Sequence, residues 1–472
     1  MLRVFLKDSV TYALSAIVSR GLSFFLIPLY TRILSPRDYG SFDLLTVFAS
    51  IVNLTIALEI SQGLARFYTA ESDYNLKTSY ASSALLFTFF CYSIFLVFTL
   101  LFTQHLSVFI MGQFGLDVEF QIGMIYIWIS GIFYLIQSQF RWALRSKDYA
   151  IVSVLTSIIS AVSSVFFAYI LNLELKGLLL GLISGSLCGA CFGLWRLRNL
   201  FRLRFELACL RAMLLFSTPL VFSSAAVWIS LYADRVMIKY FLSVEAVGVY
   251  GIAYRVASVA GLVMVGFQSS LSPLIYTYHK KSSTPDDLAK IFRIFVPVAL
   301  FMYMSLVLFA KDALRLLVTE RYFSGAELVV FLAPAILMSN MYIFAPGIAI
   351  AKKTNLTIWI NVGGAILNVA LNYWLIPVFE IIGAGVATFL ASLFIFSANM
   401  IASQKFYAVP HRWSQIIIAF IFAFILCVFF SNLEFQGIVR WAMNCFSLII
   451  FLFLCVHLKF FKASDLWHLV KL

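Results

Sequence analysis

Charge is scarce in this chain of 472 residues: Asp, Glu, Lys and Arg make up 12% of it, against about 25% in a soluble domain. Hydrophobic residues make up 62% and the mean hydropathy is +0.98, which excludes a water-soluble globule, because no soluble fold covers that much apolar surface. Strict apolar–polar alternation punctuated by turns is also missing, and this excludes a β-barrel. A disulfide framework is missing too. Of seven cysteines, six lie in apolar runs and Cys209 in a basic connection. Cys188-Gly-Ala-Cys191 sits in an apolar, glycine-rich segment and reads as small-residue packing, not redox chemistry. The opening MLRVFLKDSV does not order a basic, an apolar and a cleavage region, so the first apolar run is expected to be a retained span. There is no Walker A, HExxH or GxSxG motif, and His105, His279, His411, His457 and His468 are scattered. Nothing suggests a metal site or a resident cofactor, and an enzyme such as a membrane polymerase or ligase would need converging acid–base groups outside the apolar runs.

What is present is a series of apolar runs of about 20 residues or more, long enough to cross ~30 Å of hydrocarbon as helices. The expected fold is all-α and polytopic, with about 14 transmembrane helices separated by short connections. The second is expected over 41–70, the seventh over 211–232, the eighth over 246–278, the eleventh over 355–377 and the twelfth over 382–402. Lys and Arg outnumber those of the odd connections by more than two to one in the tails and even-numbered connections, which predicts both termini in the cytoplasm. The strongest anchor is 196-RLRNLFRLRFE-206, with Arg196, Arg198, Arg202 and Arg204. The net charge of +13 is thereby explained without a nucleic-acid partner.

The chain repeats itself. LSPRDYGSF at 34–42 returns as LSVEAVGVY at 242–250, with Leu-Ser, Gly and an aromatic at the same spacing. At a similar offset Lys147 falls on Lys353, Glu174 on Glu380 and Gly177 on Gly383, while Gly181 and Gly185 fall on Ala387 and Ala391. Two parallel copies of a six-helix unit are therefore expected, 1–205 and 206–408, followed by 409–472 with helices 13, 14 and a tail. Gly177, Gly181, Gly185, Gly189 and Gly193 form a small-residue stripe, expected to let another backbone approach closely.

Ionisable residues inside the runs are the expensive ones, at least ~2.5–3.5 kcal/mol for an Arg at mid-bilayer. They are Arg20, Arg66 and Arg255, with Glu59 as a candidate for coupling or charge balance. From a rise of ~1.5 Å per residue, Arg66 falls near the cytoplasmic end, Arg20 near mid-depth and Arg255 in the outer half. Together the arginines are candidates to line a cationic cavity that grips a phosphate bidentately, and Arg66 is equally a candidate to snorkel to the interface. Asn361, Asn368 and Asn372 share a helical face that could contact sugars or bond to neighbouring helices. Asp234 and Arg235 are candidates for an outer gate or a simple interfacial pair.

The runs 21-GLSFFLIPLYTRILSPRDYGSFDLL-45, 58-LEISQGLARFYTA-70 and 234-DRVMIKYFLSVEAVGVYGIAYRV-256 resemble Wzx-type oligosaccharide flippases of the polysaccharide transport branch of the MOP superfamily. That resemblance implies a V-shaped pair of six-helix bundles in the bacterial inner membrane. It implies a cargo of undecaprenyl-pyrophosphate-linked oligosaccharide repeat units, such as O-antigen units, moved from the cytoplasmic to the periplasmic leaflet by alternating access. H+ or Na+ coupling, a prenyl tail held near helices 13 and 14, and polysaccharide polymerase and chain-length regulator proteins as partners belong to the same expectation. Members of that family often carry Gly-Leu near 58–60, where this chain has Leu58-Glu59-Ile60. A lipid II-type flippase and a MATE-like cation antiporter share the architecture; three arginines against one glutamate favour an anionic cargo over a cation.

Overall fold

The computed structural model describes residues 11–460 except 12, 13, 16, 20, 23, 203, 265–267, 269, 270, 272–274, 276–280, 282, 352 and 433–436. The described residues are helical, with no strand among them. They form two compact units, 1–248 and 249–472.

The first unit contains α1 (Ile27–Ile33), α2 (Pro36–Thr55), α3 (Ile60–Ala70), α4 (Tyr74–Leu101), α5 (Asp117–Trp142), α6 (Ser146–Val165), α7 (Glu174–Arg196) and α8 (Leu207–Phe241); α9 (Val244–Ala257) begins in it and continues into the second. Large side chains on α4, among them Phe89, Phe90, Ile94, Val97 and Phe98, are exposed, as expected of a face turned to lipid. The glycine stripe of α7 packs inside the unit. A Cβ at Gly177 would strike the backbone of Phe167 and Ala168, and one at Gly181 the backbone of Ser164; at Gly185 it would meet Ser160 and Thr156, and at Gly193 Ile136. The stripe therefore seats α7 on α6 and its π-helical end, Phe166–Ile170, and then on α5. The serines of α6 bond to neighbours: Ser157 Oγ donates to Ser19 Oγ at 2.9 Å and Ser153 Oγ accepts from Gln137 Nε2 at 2.8 Å.

The second unit contains α10 (Thr284–Leu308), α11 (Val329–Asn340), α12 (Thr354–Gln404), α13 (Trp413–Asn432) and α14 (Gly437–His457). Ala335, Met338 and Phe389 form a buried cluster that Phe331, Leu393 and Phe420 extend. Among the described residues 11 helices are long and apolar enough to cross a membrane, or 12 when α2 and α3 are joined. The expected count of about 14 is not reached by that measure. Two reasons are visible. The first expected span overlaps residues outside the description, and α12, at 51 residues, is about twice the length that spans a bilayer. Glu380, with φ 52° and ψ −136°, breaks α12 at the connection expected between 377 and 382.

One expectation is corrected here. The segment 41–70 is not one helix: Leu58 and Glu59 take left-handed φ values of 48° and 53°, and α2 and α3 meet there at 45°. The eighth expected helix, 246–278, runs as α9 through a 3-10 turn at Ser258–Ala260 to Met264, together one candidate span; its later part falls largely on residues outside the description.

The repeated landmarks have repeated geometry. Glu174 and Glu380 both have positive φ, 46° and 52°. Thr103–Met111 and Ala310–Leu317 are short helices that follow α4 and α10 after one linking residue, Phe102 and Phe309. Ser35 Oγ accepts from Asp38 N at 3.1 Å and caps α2. Ser243 Oγ accepts from Ala246 N at 3.0 Å and caps α9. Each is an N-cap that satisfies a backbone N–H otherwise left without a partner.

Candidate functional site

The two related turns meet. A Cβ on Gly40 would lie 1.9 Å from Val244 O, and one on Gly248 would lie 2.0 Å from Pro36 O. The contact is reciprocal, so the first turns of α2 and α9 cross backbone to backbone at two glycines, and only glycine leaves room for that approach. The sequence spells the turn twice because Ser starts each helix and Gly lets the two starts touch.

From this crossing α8 runs antiparallel to α2 and α3, and a seam of polar side chains joins them. Near the crossing, Arg235 Nε donates to Asp43 Oδ2 at 2.8 Å and Arg235 Nη1 to Asp234 Oδ1 at 3.2 Å. All three are buried, with Arg235 4% exposed. One guanidinium thus stands between two carboxylates, which satisfies charges that would be prohibitive alone in an apolar setting. Further along, Trp228 Nε1 donates to Ser50 Oγ at 2.7 Å. At the break between α2 and α3, Ser224 Oγ donates to Glu59 Oε1 at 2.6 Å. A Cβ on Gly63 would lie 2.8 Å from Met213 O, so α3 and α8 remain in close contact. At the far end the exposed Arg66 guanidinium lies over the Phe216 ring, 4.3 Å from its centroid, a cation–π contact. Pro219 lies inside α8 between Phe216 and Ser224; its ring removes a backbone donor and favours a bend there.

Glu59 is 7% exposed and lines a small cavity with Asn53, Ser61, Thr88, Tyr92 and Tyr134. Tyr92 OH donates to Asn53 Oδ1 at 2.6 Å. Its ring sits where a Cβ on Gly131 would be, 2.1 Å from Cε1 and Cζ.

The expected site residues are thus partly assembled. Asp234 and Arg235 are brought together with Asp43, which the sequence reading missed. The signal was available: a carboxylate two turns inside an apolar helix, in PRDYGSFDLL, belongs with the costly intramembrane charges. Arg66 and Arg255 lie in different units; Arg255 is half-buried in α9, and Arg20 lies outside the described residues. On α12, Asn372 Nδ2 donates to Asn368 Oδ1 at 3.0 Å; both side chains are buried, whereas Asn361 is half-buried. Of the basic anchor, Arg196 Nε donates to Asp148 Oδ1 at 2.9 Å and Arg145 Nε to Asp148 Oδ2 at 2.7 Å. These ties bind the ends of α6 and α7.

In the second unit an apolar cavity of about 590 Å³ opens between α10, α11, α12 and α13, lined by Val296, Tyr303, Met338, Leu393, Met400 and Phe420. α13 contributes to it and α14 does not.

This geometry has counterparts in known proteins. The chain is 22% identical over 420 residues to a Haloferax volcanii protein described as the probable low-salt glycan biosynthesis flippase Agl15, covering 87% of this chain and 86% of that protein. Among solved structures, the lipid II flippase MurJ in an inward closed conformation superposes with a TM-score of 0.66 at 12% identity, covering 94% of this chain and 97% of that one. An inward-facing multidrug resistance MATE family transporter of the MOP superfamily superposes with a TM-score of 0.63 at 14% identity, covering 84% and 96%. At these identities the likeness to the solved structures is one of fold. Residues 5–279, more than half of the chain, match the polysaccharide biosynthesis protein family; the chain belongs to that family.

Proposed function

We propose that this protein is a flippase that moves undecaprenyl-pyrophosphate-linked oligosaccharide units from the cytoplasmic to the periplasmic leaflet of a bacterial inner membrane, with both termini in the cytoplasm. The observation that carries the reading is the polar seam of Asp43, Arg235, Ser50, Trp228, Glu59 and Ser224 inside a family of polysaccharide biosynthesis proteins. A chain this apolar keeps buried charge where charge has work to do. In this reading the Gly40–Gly248 crossing and the Asp43–Arg235–Asp234 triad close the periplasmic end of the path, and α8 parts from α2 once per cycle. Hydrogen bonds and glycine contacts separate without tearing a packed hydrophobic core, which suits a surface that must open and close.

Arg20, Arg66 and Arg255 form the proposed cationic path for the pyrophosphate, and Asn361, Asn368 and Asn372 the proposed sugar-facing set. The apolar cavity of the second unit suits a lipid tail. The partners would be a polysaccharide polymerase and chain-length regulators that act on the delivered unit. Against a cation exporter stands the pairing of Asp43 and Asp234 with Arg235, which leaves Glu59, among the described residues, as the carboxylate of the seam without an ion pair. A lipid II-type cargo differs in headgroup, not in path. We read the protein as a transporter and not as an enzyme.

The test is movement of a labelled undecaprenyl-pyrophosphoryl oligosaccharide in proteoliposomes, with a lectin reporting the exposed leaflet. The wild-type protein moves the label. Arg66→Gln and Arg255→Gln should each slow it about tenfold or more, the loss of one charge-assisted hydrogen bond of ~1.5–3 kcal/mol, with no fall in folded protein. Accumulation of a lipophilic cation without lipid movement would replace this cargo with that of a multidrug exporter.

A further inference from the structure

We propose that the second unit seats one anionic phospholipid of the bilayer. Its phosphodiester headgroup occupies a basic pocket between the first turns of α10 and the connection into α13, and one acyl chain occupies the adjoining apolar cavity. The pocket has a volume of about 500 Å³ and is lined by Lys290, Arg293 and Arg412, with Asp286, His411 and Phe460. The apolar cavity of about 590 Å³ begins where the pocket ends, because Phe292 and Ile416 line both. The change from charge to hydrocarbon falls at one level on two elements. Along α10, Asp286, Lys290 and Arg293 line the pocket, and further along Val296, Leu300 and Tyr303 line the cavity; spacings of three and four keep them on one face of the helix. At the start of α13, Arg412 lines the pocket and the next residue, Trp413, lines the cavity. An aromatic collar marks the same level. The Phe292 ring centroid lies 4.7 Å from that of His411 and 6.3 Å from that of Trp413, and Trp is the residue that gathers where headgroups meet hydrocarbon.

The pocket wall is fixed. Gln404 Nε2 donates to Val409 O at 3.1 Å and Gln404 Oε1 accepts from Val409 N at 2.9 Å, which holds the connection that carries Pro410, His411 and Arg412. Charge and size choose the occupant. Among the described residues of the pocket, three cations face one carboxylate. Lys290 also reaches Asp287 at 3.5 Å, an exposed pair that is worth little. Burial pulls the pKa of His411 down to about 4, so it adds no charge at neutral pH. Basic side chains gathered between helices at the membrane surface suit a lipid phosphate, which a guanidinium bonds through two parallel N–H groups. The cavity takes about 20 groups the size of a water or a methylene, at ~30 Å³ each. That is enough for one fatty acyl chain and far short of an undecaprenyl chain, so a bilayer phospholipid fits the pair of chambers better than the proposed cargo does. The site goes beyond the transport reading and does not rest on it.

The experiment uses the purified full-length protein in detergent, unfolded by heat while phosphatidylglycerol, phosphatidylcholine with the same acyl chains, or inorganic phosphate is added. The expected result is a Tm that rises with phosphatidylglycerol and saturates, as binding to the folded state alone requires. The response to phosphatidylcholine should be weaker, and phosphate should give none. Lys290 and Arg412 are exposed, so a double variant with Lys290→Gln and Arg412→Gln should keep the starting Tm of the wild type. Its phosphatidylglycerol concentration at half-effect should rise about tenfold or more. Ala299→Leu, which fills the cavity and keeps the charges, should weaken the same response. Equal responses to the two lipids, a response to inorganic phosphate as large as that to phosphatidylglycerol, or an undiminished response in the double variant would overturn the site. Displacement of bound phosphatidylglycerol by undecaprenyl phosphate at a lower concentration would overturn it too, and would give the pocket to the cargo. None of these measurements reads transport, so the site and the flippase reading fall separately.

Discussion

Arg235 shows how one side chain can organise a membrane protein. An arginine buried in an apolar bundle is tolerable only when its charge and its N–H groups are matched, and here Asp43 and Asp234 do both. Removing one member leaves the others buried and unmatched, at about 3–5 kcal/mol. Asp43→Asn and Arg235→Gln should therefore each lower the Tm and the folded yield, and the two should be strongly non-additive when combined. Additive losses, measured as a double-mutant cycle of thermal unfolding, would show that the pair is not a unit. This part of the site was half legible. Asp234 and Arg235 stood out as adjacent charges at a span end, but their partner is 191 residues away from Asp234, and no local pattern joins them. The asparagines show the converse. Their spacing on one face was legible, yet only Asn368 and Asn372 are joined by a hydrogen bond.

At the scale of elements, the most informative stretch is the turn that occurs twice. Its serines are helix caps and its glycines are a helix crossing; the repetition was legible in sequence, and the contact between the copies was not, because spacing records similarity and not proximity. Gly40→Ala and Gly248→Ala should each force apart backbones that have no slack, with a loss of about 1–3 kcal/mol from overpacking, read as a lower Tm and less folded protein in the membrane. Gly363→Ala is the control, since its nearest neighbour is a Phe394 ring atom at an ordinary 3.5 Å; it should be neutral. Equal effects at all three positions would reject the crossing as the cause. The break at Leu58–Glu59 was not legible, because no Gly or Pro marks it and hydropathy runs straight through 41–70. The stripe on α7 was legible, since a row of five glycines has no side chains of its own to pack and calls for a close neighbour.

For the whole molecule, composition was enough to read a polytopic helical membrane protein, and the repeat was enough to read a duplication. The helix that opens the second copy, α8, packs on α2, α3 and α4 and falls within the first compact unit. A sequence repeat tracks ancestry along the chain, whereas contacts track the conformation that the chain occupies, so the two need not divide it at one place. In the proposed cycle α8 leaves that seam and returns. The direct test is to hold it shut. With the seven native cysteines replaced, Ser50→Cys on α2 and Trp228→Cys on α8 can be joined by a short bifunctional thiol reagent, and lipid flipping in proteoliposomes compared before and after joining and after release by a cleavable version of the reagent. A flippase that works by parting α2 from α8 stops when joined and recovers when released. Flipping at the full unjoined rate with the link intact would contradict the seam as the moving part.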